Sequence, residues 1–247
     1  MKRRVRIDRL LVDRGLVSSR EKAQARVMAG EVLAGEQKVE KPGHTVPEDC
    51  EIRLLGEPPP YVSRGGFKLQ EALDRFAIDV RGRVCLDVGA STGGFTDCLL
   101  QRGAARVYAV DAGVNQLDWR LRQDERVIVR EKVNARYIDR QIVPEPVSFA
   151  CCDVSFISAT LILPALPPLL DVASDLVVLV KPQFEVGKGE VGKGGIVKDP
   201  ALHQKSIDRV REAAGDAGFT VKDVIESPIL GAEGNREFLL HAVLGAR

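Results

Sequence analysis

Two groups of residues in this 247-residue chain have types and spacing that could do chemistry. The first is the run Asp87-Val88-Gly89-Ala90-Ser91-Thr92-Gly93-Gly94-Phe95, an acidic residue and a glycine-rich turn set between an apolar β-type run and an amphipathic helical stretch. Glycines in such a turn let backbone amides come close to a ligand at the carboxyl end of a strand, where open α/β sheets bind nucleotides. About 20 residues further on, Asp111 ends the next apolar run, where a carboxylate can accept both hydroxyls of a ribose. The second group is Lys68 in SRGGFKL, Asp153 in CCDVSFIS, Lys181 in VVLVKPQFE and Glu237 in GNREFLL, four charges in apolar or glycine-rich surroundings. Each of these taken singly is most simply a paired, satisfied residue.

The nucleotide pattern alone also suits a nicotinamide dinucleotide. An acid directly before the glycines, with the third glycine of GxGxxG displaced into Gly93-Gly94, favours S-adenosylmethionine instead. Asp87, Gly89, Ser91, Gly93, Gly94, Phe95 and Asp111 are the residues expected around it. A second glycine-rich stretch, GKGEVGKGG, satisfies GxGxxG at Gly187, Gly189 and Gly192 and nearly satisfies a P-loop. There Gly194 replaces the Ser or Thr that would hold magnesium, and no long helix follows directly. Residues 187–197 are therefore expected to form a flexible basic loop over the site.

The elements that must position these residues alternate. Apolar β-type runs at 84–88, 107–110, 127–129, 147–152, 176–180, 220–225 and 238–243 are separated mostly by helix-compatible segments, which predicts α/β architecture with a doubly wound, mostly parallel seven-stranded sheet. Upstream, apolar residues at helical spacing predict two short helices over 6–12 and 20–29, the second opened by a capping box of Ser18 and Glu21, with Gly15 and Gly30 as stops. Short β-type segments follow at 31–33, 38–39 and 51–55. The prolines at 58–60 stiffen the chain into a spacer. The expected division is a small α+β domain at 1–57, a linker at 58–62 and a Rossmann-like domain at 63–247.

Composition narrows the function classes. No apolar run approaches the roughly 18–20 residues that span a bilayer, and the basic N-terminus has no apolar core behind it, so a cytoplasmic protein without membrane association is expected. Five cysteines without a CxxC pair, and three histidines, argue for reduced thiols and no metal site. The chain's net charge is +1, yet residues 1–30 carry nine basic and three acidic side chains, so positive charge is concentrated at one end. That asymmetry suits an RNA-facing arm.

RIDRLLVDRGLVSSREKAQARVMAGEVLAG, two helices followed by a compact hairpin, resembles the S4-like RNA-binding domain over residues 4 to 56. The resemblance implies that Arg6, Arg20, Lys22 and Arg26 lie along RNA phosphates. From residue 61 onward, Lys68, Asp153, Lys181 and Glu237 in that order resemble the catalytic tetrad of the RrmJ/FtsJ-type ribose 2′-O-methyltransferases. VSRGGFKL, DVGASTGGFTD and LVKPQFEVGK together with the N-terminal domain are similar to the TlyA family, hemolysin-like proteins also described as ribosomal RNA cytidine 2′-O-methyltransferases. The resemblance implies an S-adenosylmethionine-dependent enzyme acting on a ribose of ribosomal RNA within a ribosomal subunit, with Arg64, Lys188 and Lys193 as further RNA contacts. Lys181, partly desolvated and near a second ammonium at Lys68, would take the hydroxyl proton. Asp153 would orient Lys181, and Lys68 and Glu237 would fix the ribose. A membrane-active hemolysin, or an RNA-binding module with an inert enzyme fold, are the competing classes.

Overall fold

The computed structural model describes residues 3–56, 60–231 and 234–245. The chain divides into two compact units, Met1–Pro60 and Tyr61–Arg247.

The first unit is built from β1 (Arg4–Arg6), α1 (Ile7–Asp13), α2 (Arg20–Met28), β2 (Val32–Ala34), β3 (Gln37–Lys38), β4 (Thr45–Pro47) and β5 (Ile52–Leu54). Ile7, Leu10 and Leu11 on one stripe of α1 meet Ala23 and Val27 of α2, and all five are buried. The cap of α2 is Ser19, whose Oγ accepts from the Lys22 amide at 3.3 Å, and not Ser18 as the capping-box spacing suggests. Ser18 Oγ instead accepts from Lys22 Nζ. Strands β3, β2 and β5 form one antiparallel sheet, and β1 pairs with β4 in another.

The second unit holds α3 (Gly65–Arg75), β6 (Val84–Val88), α4 (Gly94–Gln101), β7 (Arg106–Val110), α5 (Trp119–Arg122), β8 (Val127–Arg130), β9 (Val147–Cys152), β10 (Leu170–Val180), α6 (Pro182–Glu185), α7 (Pro200–Asp216), β11 (Phe219–Glu226) and β12 (Phe238–Leu244). Its sheet runs β11-β12-β10-β9-β6-β7-β8, with β12 alone antiparallel to its neighbours. Both faces are covered. Leu86, Val88, Tyr108, Cys152 and Val178 pack toward α7 on one side, and Cys85, Val107, Phe149, Cys151 and Val177 pack toward α3 and α4 on the other. Such strands read as continuous apolar runs rather than alternating ones. After β6 the chain builds β7 and β8 on one side and returns to place β9 on the other, so the switch point lies between β6 and β9.

Two local features depart from the sequence reading. Tyr61 and Val62, assigned to the linker, are buried in the second unit's core, where the Tyr61 hydroxyl donates to Gln70 and the Val62 amide donates to Asp97. Residues 57–59 of that linker lie outside the described residues. Between β9 and β10 the crossover is three successive 3₁₀ turns rather than an α-helix. Pro164, Pro167 and Pro168 supply no amide hydrogens, and Leu163, Leu166 and Leu169 at spacing three line one buried edge, as a 3₁₀ repeat requires.

Candidate active site

The strand ends that carry singled-out charges share one edge of the sheet. Asp153 directly follows β9, Lys181 directly follows β10 and Glu237 directly precedes the antiparallel β12, so all three fall at the same edge of the sheet. Lys68 comes from the first turns of α3 and not from a strand edge. The second of the paired glycines before it answers to packing: a methyl at Gly66 would sit 2.2 Å from the Tyr61 ring.

The four form two ion pairs. Lys68 Nζ donates to Glu237 Oε2 at 2.5 Å, with side chains 11% and 3% exposed. Lys181 Nζ lies 2.5 Å from Asp153 Oδ1 and donates to Ser155 Oγ at 2.8 Å. Asp153 Oδ1 is buried and takes no hydrogen bond among the described residues, so its contact with Lys181 is one of charge. Each lysine therefore faces a carboxylate. Lys68 and Asp153 line one cavity of about 230 Å³, with Ser63, Arg64, Gly89 and Phe95.

Of the residues expected around a nucleotide, Gly89, Ser91, Gly94 and Phe95 line this cavity. Asp111 lines an adjoining hollow that shares Ala90 and Ser91. Its two carboxylate oxygens accept from the Ser91 amide at 2.8 Å and the Gly113 amide at 2.6 Å. Gly89 has φ +87°, and a Cβ there would meet the Asp153 carbonyl oxygen at 2.2 Å. Only glycine lets the turn after β6 run this close to the end of β9.

Asp87 and Gly93 stand behind the wall. Asp87 is fully buried and accepts from the Thr96 hydroxyl at 2.7 Å. Burial, with the Asp153 charge nearby, pushes its carboxyl up to about 7 against those hydrogen bonds. It holds the first turn of α4 rather than facing the cavity. Gly93, at φ +96°, makes room for Leu121 and Leu117.

The basic residues are placed less uniformly. In the first unit, Arg6 and Arg20 both bind Asp8, a fully buried carboxylate that also accepts from Gln24. The Arg6 hydrogen bonds hold Asp8 well below the usual carboxylate range. Both guanidiniums stay about half exposed, Arg6 at 48% and Arg20 at 56%. Arg26 is 12% exposed and lies 3.5 Å from Glu31. In the second unit Arg64 is exposed at the cavity mouth and Lys193 is exposed. The Lys188 side chain lies outside the described residues. The stretch 187–197 makes two 3₁₀ turns, and Asn235 accepts from the Val197 amide and donates to the Gly195 carbonyl. None of it lines the cavity.

Sequence reasoning passed over Ser63, Ser155, Gln116 and Glu131. Glu131 directly follows β8 and lines the Asp111 hollow, the same strand-end signal that singled out Asp111.

Residues 61–243 match the FtsJ-like methyltransferase family, and residues 5–52 match the S4 domain. The chain belongs to the FtsJ-like methyltransferase family. This methyltransferase is 46% identical over 241 residues to the 16S/23S rRNA (cytidine-2′-O)-methyltransferase TlyA of Mycobacterium tuberculosis, covering 97% of the chain and 90% of that protein. It is 42% identical over 241 residues to hemolysin A of Brachyspira hyodysenteriae, covering 97% of the chain and 100% of that protein. Among solved structures, a hemolysin from Streptococcus thermophilus superposes with a TM-score of 0.77 at 46% identity, covering 99% of this chain and 90% of that one.

The residues present fit S-adenosylmethionine. The turn at Gly89 is a cradle that any Cβ would fill, and the fixed Asp111 carboxylate beside Gln116 and Glu131 offers acceptors for hydroxyl and amino groups. Among the described residues no cluster of metal-ligating side chains occurs.

Proposed function

We propose that the protein transfers the methyl group of S-adenosylmethionine to the 2′-hydroxyl of a cytidine in ribosomal RNA, within a ribosomal subunit and hence in the cytoplasm. The observation that carries this reading is that Lys68, paired with Glu237, and Asp153, paired with Lys181, line one cavity that adjoins the Asp111 hollow. The RNA and its nucleotide are taken from the TlyA relative, and the S4 match in the first unit supports an RNA ligand.

A ribose hydroxyl is almost wholly protonated at neutral pH, so it has to be oriented and relieved of its proton as the new O–C bond forms. When bound, S-adenosylmethionine supplies an electrophilic methyl on a positively charged sulfur. Lys181 in its amine form takes the hydroxyl proton and passes it to solvent, while Asp153 and Ser155 aim its Nζ. Lys68, held by Glu237, directs its remaining hydrogens toward the cavity and fixes the ribose oxygen. Gly89 keeps the donor side against the end of β9, and Asp111 holds a ribose from the other side. Arg6 and Arg20 bind phosphates sequence-independently.

Tritiated methyl incorporation into deproteinised ribosomal RNA tests the reading. Label in the RNA, at a cytidine ribose, is expected; a protein that binds the RNA and leaves it unlabelled would refute it.

A further inference from the structure

The short turn α6 begins just after Lys181 and ends on Glu185, a residue the reaction above does not use. Glu185 is 2% exposed, and every hydrogen bond its carboxylate accepts comes from one loop: Ser158 Oγ donates at 2.5 Å and the Ala159 amide at 2.8 Å. That loop, residues 153–159, carries Asp153 and Ser155 and contains no regular element until the turn at 159–161. Its middle residue, Phe156, is 93% exposed with φ +64°, so burial of its own side chain cannot hold the loop in place. Three side chains of the α6 segment reach across to it instead. Lys181 meets Asp153 and Ser155, the Phe184 ring lies 5.4 Å from the Phe156 ring, and Glu185 takes Ser158 and Ala159. The α6 side is itself anchored, since Arg209 of α7 donates to the Glu185 carbonyl and the Phe184 amide donates to the Lys181 carbonyl at 2.9 Å.

We propose that Glu185 is a positioning residue of the methyl transfer, clamping loop 153–159 so that Asp153 and Ser155 stay in register with Lys181 on the same turn. The inference rests on the methyl-transfer reading of this site. A buried carboxylate whose hydrogen bonds come only from a hydroxyl and an amide is costly to keep. Burial indeed raises the Glu185 carboxyl above its ordinary range. A residue serving packing alone would be apolar at this position, whereas a two-pronged acceptor fixes both the place and the rotation of the loop. Misplacing a catalytic group by about 1 Å costs on the order of 100-fold in rate.

The test compares Glu185→Ala and Glu185→Gln in the full chain by hydrogen exchange at residues 154–159 and by steady-state methyl transfer. Glu185→Ala is expected to speed exchange of the Ala159 amide and to lower kcat by about 10- to 100-fold, leaving donor Kd and the KM for RNA in place. Glu185→Gln is expected to restore most of kcat, because its oxygen still accepts from Ala159 and its amide can donate to Ser158 Oγ. If the alanine variant does not fold, Ser158→Ala removes one prong and should show the same kcat-only loss at smaller size. Wild-type kcat in the alanine or Ser158 variant, equal loss of kcat, donor affinity and melting temperature, or a glutamine variant as impaired as alanine would overturn the proposal. Full activity in Lys181→Ala would instead overturn the methyl-transfer reading, and the exchange result at Ala159 would still report on the clamp.

Discussion

Lys181 Nζ sits 2.5 Å from Asp153 Oδ1, because β9 and β10 are parallel, hydrogen-bonded neighbours and each passes one charged residue over the same edge, β10 running on to Val180 beyond the Cys152–Val178 pair. The register pairs Cys152 with Val178, so Asp153 and Lys181 leave the sheet on adjacent rails. The chemistry proposed for the pair follows from this adjacency.

Breaking the other pair should cost stability as well as rate. Lys68→Met would leave Glu237, 3% exposed, without its cation. Removal of one partner of a buried pair costs about 3–5 kcal/mol, whereas replacing both by apolar residues is near neutral. Denaturant unfolding of Lys68→Met and of Lys68→Met/Glu237→Leu is expected to show a large loss and then a recovery, with methyl transfer lost in both. Equal stability of the single variant and wild type would contradict the pairing.

Asp87 predicts a pH dependence. Its carboxyl titrates near 7 in the fold and near 3.8 unfolded, so the folded state holds the proton more tightly. Stability is then greatest below the unfolded value and is lost as pH rises toward 7. Asp87→Asn keeps an acceptor for Thr96 and removes the titration. In thermal melts without cofactor, the advantage of the variant over wild type should widen from pH 5 to pH 8, by roughly a few kcal/mol. A gap that stays constant with pH would count against a buried, neutralised Asp87.

Gly89→Ala should be felt on both sides of the cleft. The new methyl would fall 2.2 Å from the Asp153 carbonyl at a φ of +87°. A strained backbone of that kind costs on the order of 1–3 kcal/mol, and the shift carries Asp153 away from Lys181. Calorimetry should find weakened donor binding together with slower transfer; unchanged donor affinity would remove Gly89 from the site.

The first unit offers a salt-dependence test. Arg6→Ala and Arg20→Ala should each flatten the slope of log affinity against log salt by about 0.7–0.9, the value of one phosphate contact. Arg26→Ala, whose guanidinium is 12% exposed, should leave the slope alone. Equal effects at all three positions would contradict the arrangement around Asp8.

The sheet was legible because its strands are covered on both faces and therefore stand out as uninterrupted apolar runs, from Val84–Val88 to Phe238–Leu244. Strands β1 and β4 were not, since three residues ending in Pro47 carry no period to detect. Lys68 stood out only as a charge in glycine-rich surroundings, because Gly66 is there for packing against Tyr61 within a helix. Asp8 and Glu185 stayed hidden for a common reason. Each carboxylate is bound partly or wholly from afar, Asp8 by Arg20 and Gln24 besides its neighbour Arg6 and Glu185 by Ser158 and Ala159, and only the folded chain shows what it holds. The glycine stretch 187–197 gave no local sign of its two 3₁₀ turns, which hydrogen bonds from the remote Asn235 and from His203, six residues past Val197, hold at one end.

The most direct test of the central claim is single-turnover methyl transfer to ribosomal RNA by Lys181→Ala, with donor affinity measured calorimetrically on the same protein. Loss of a positioned proton acceptor should slow transfer by about 10²–10⁴-fold with donor Kd unchanged. A variant that transfers methyl at the wild-type rate would contradict the assignment of Lys181, and with it the account of the two ion pairs as the catalytic centre.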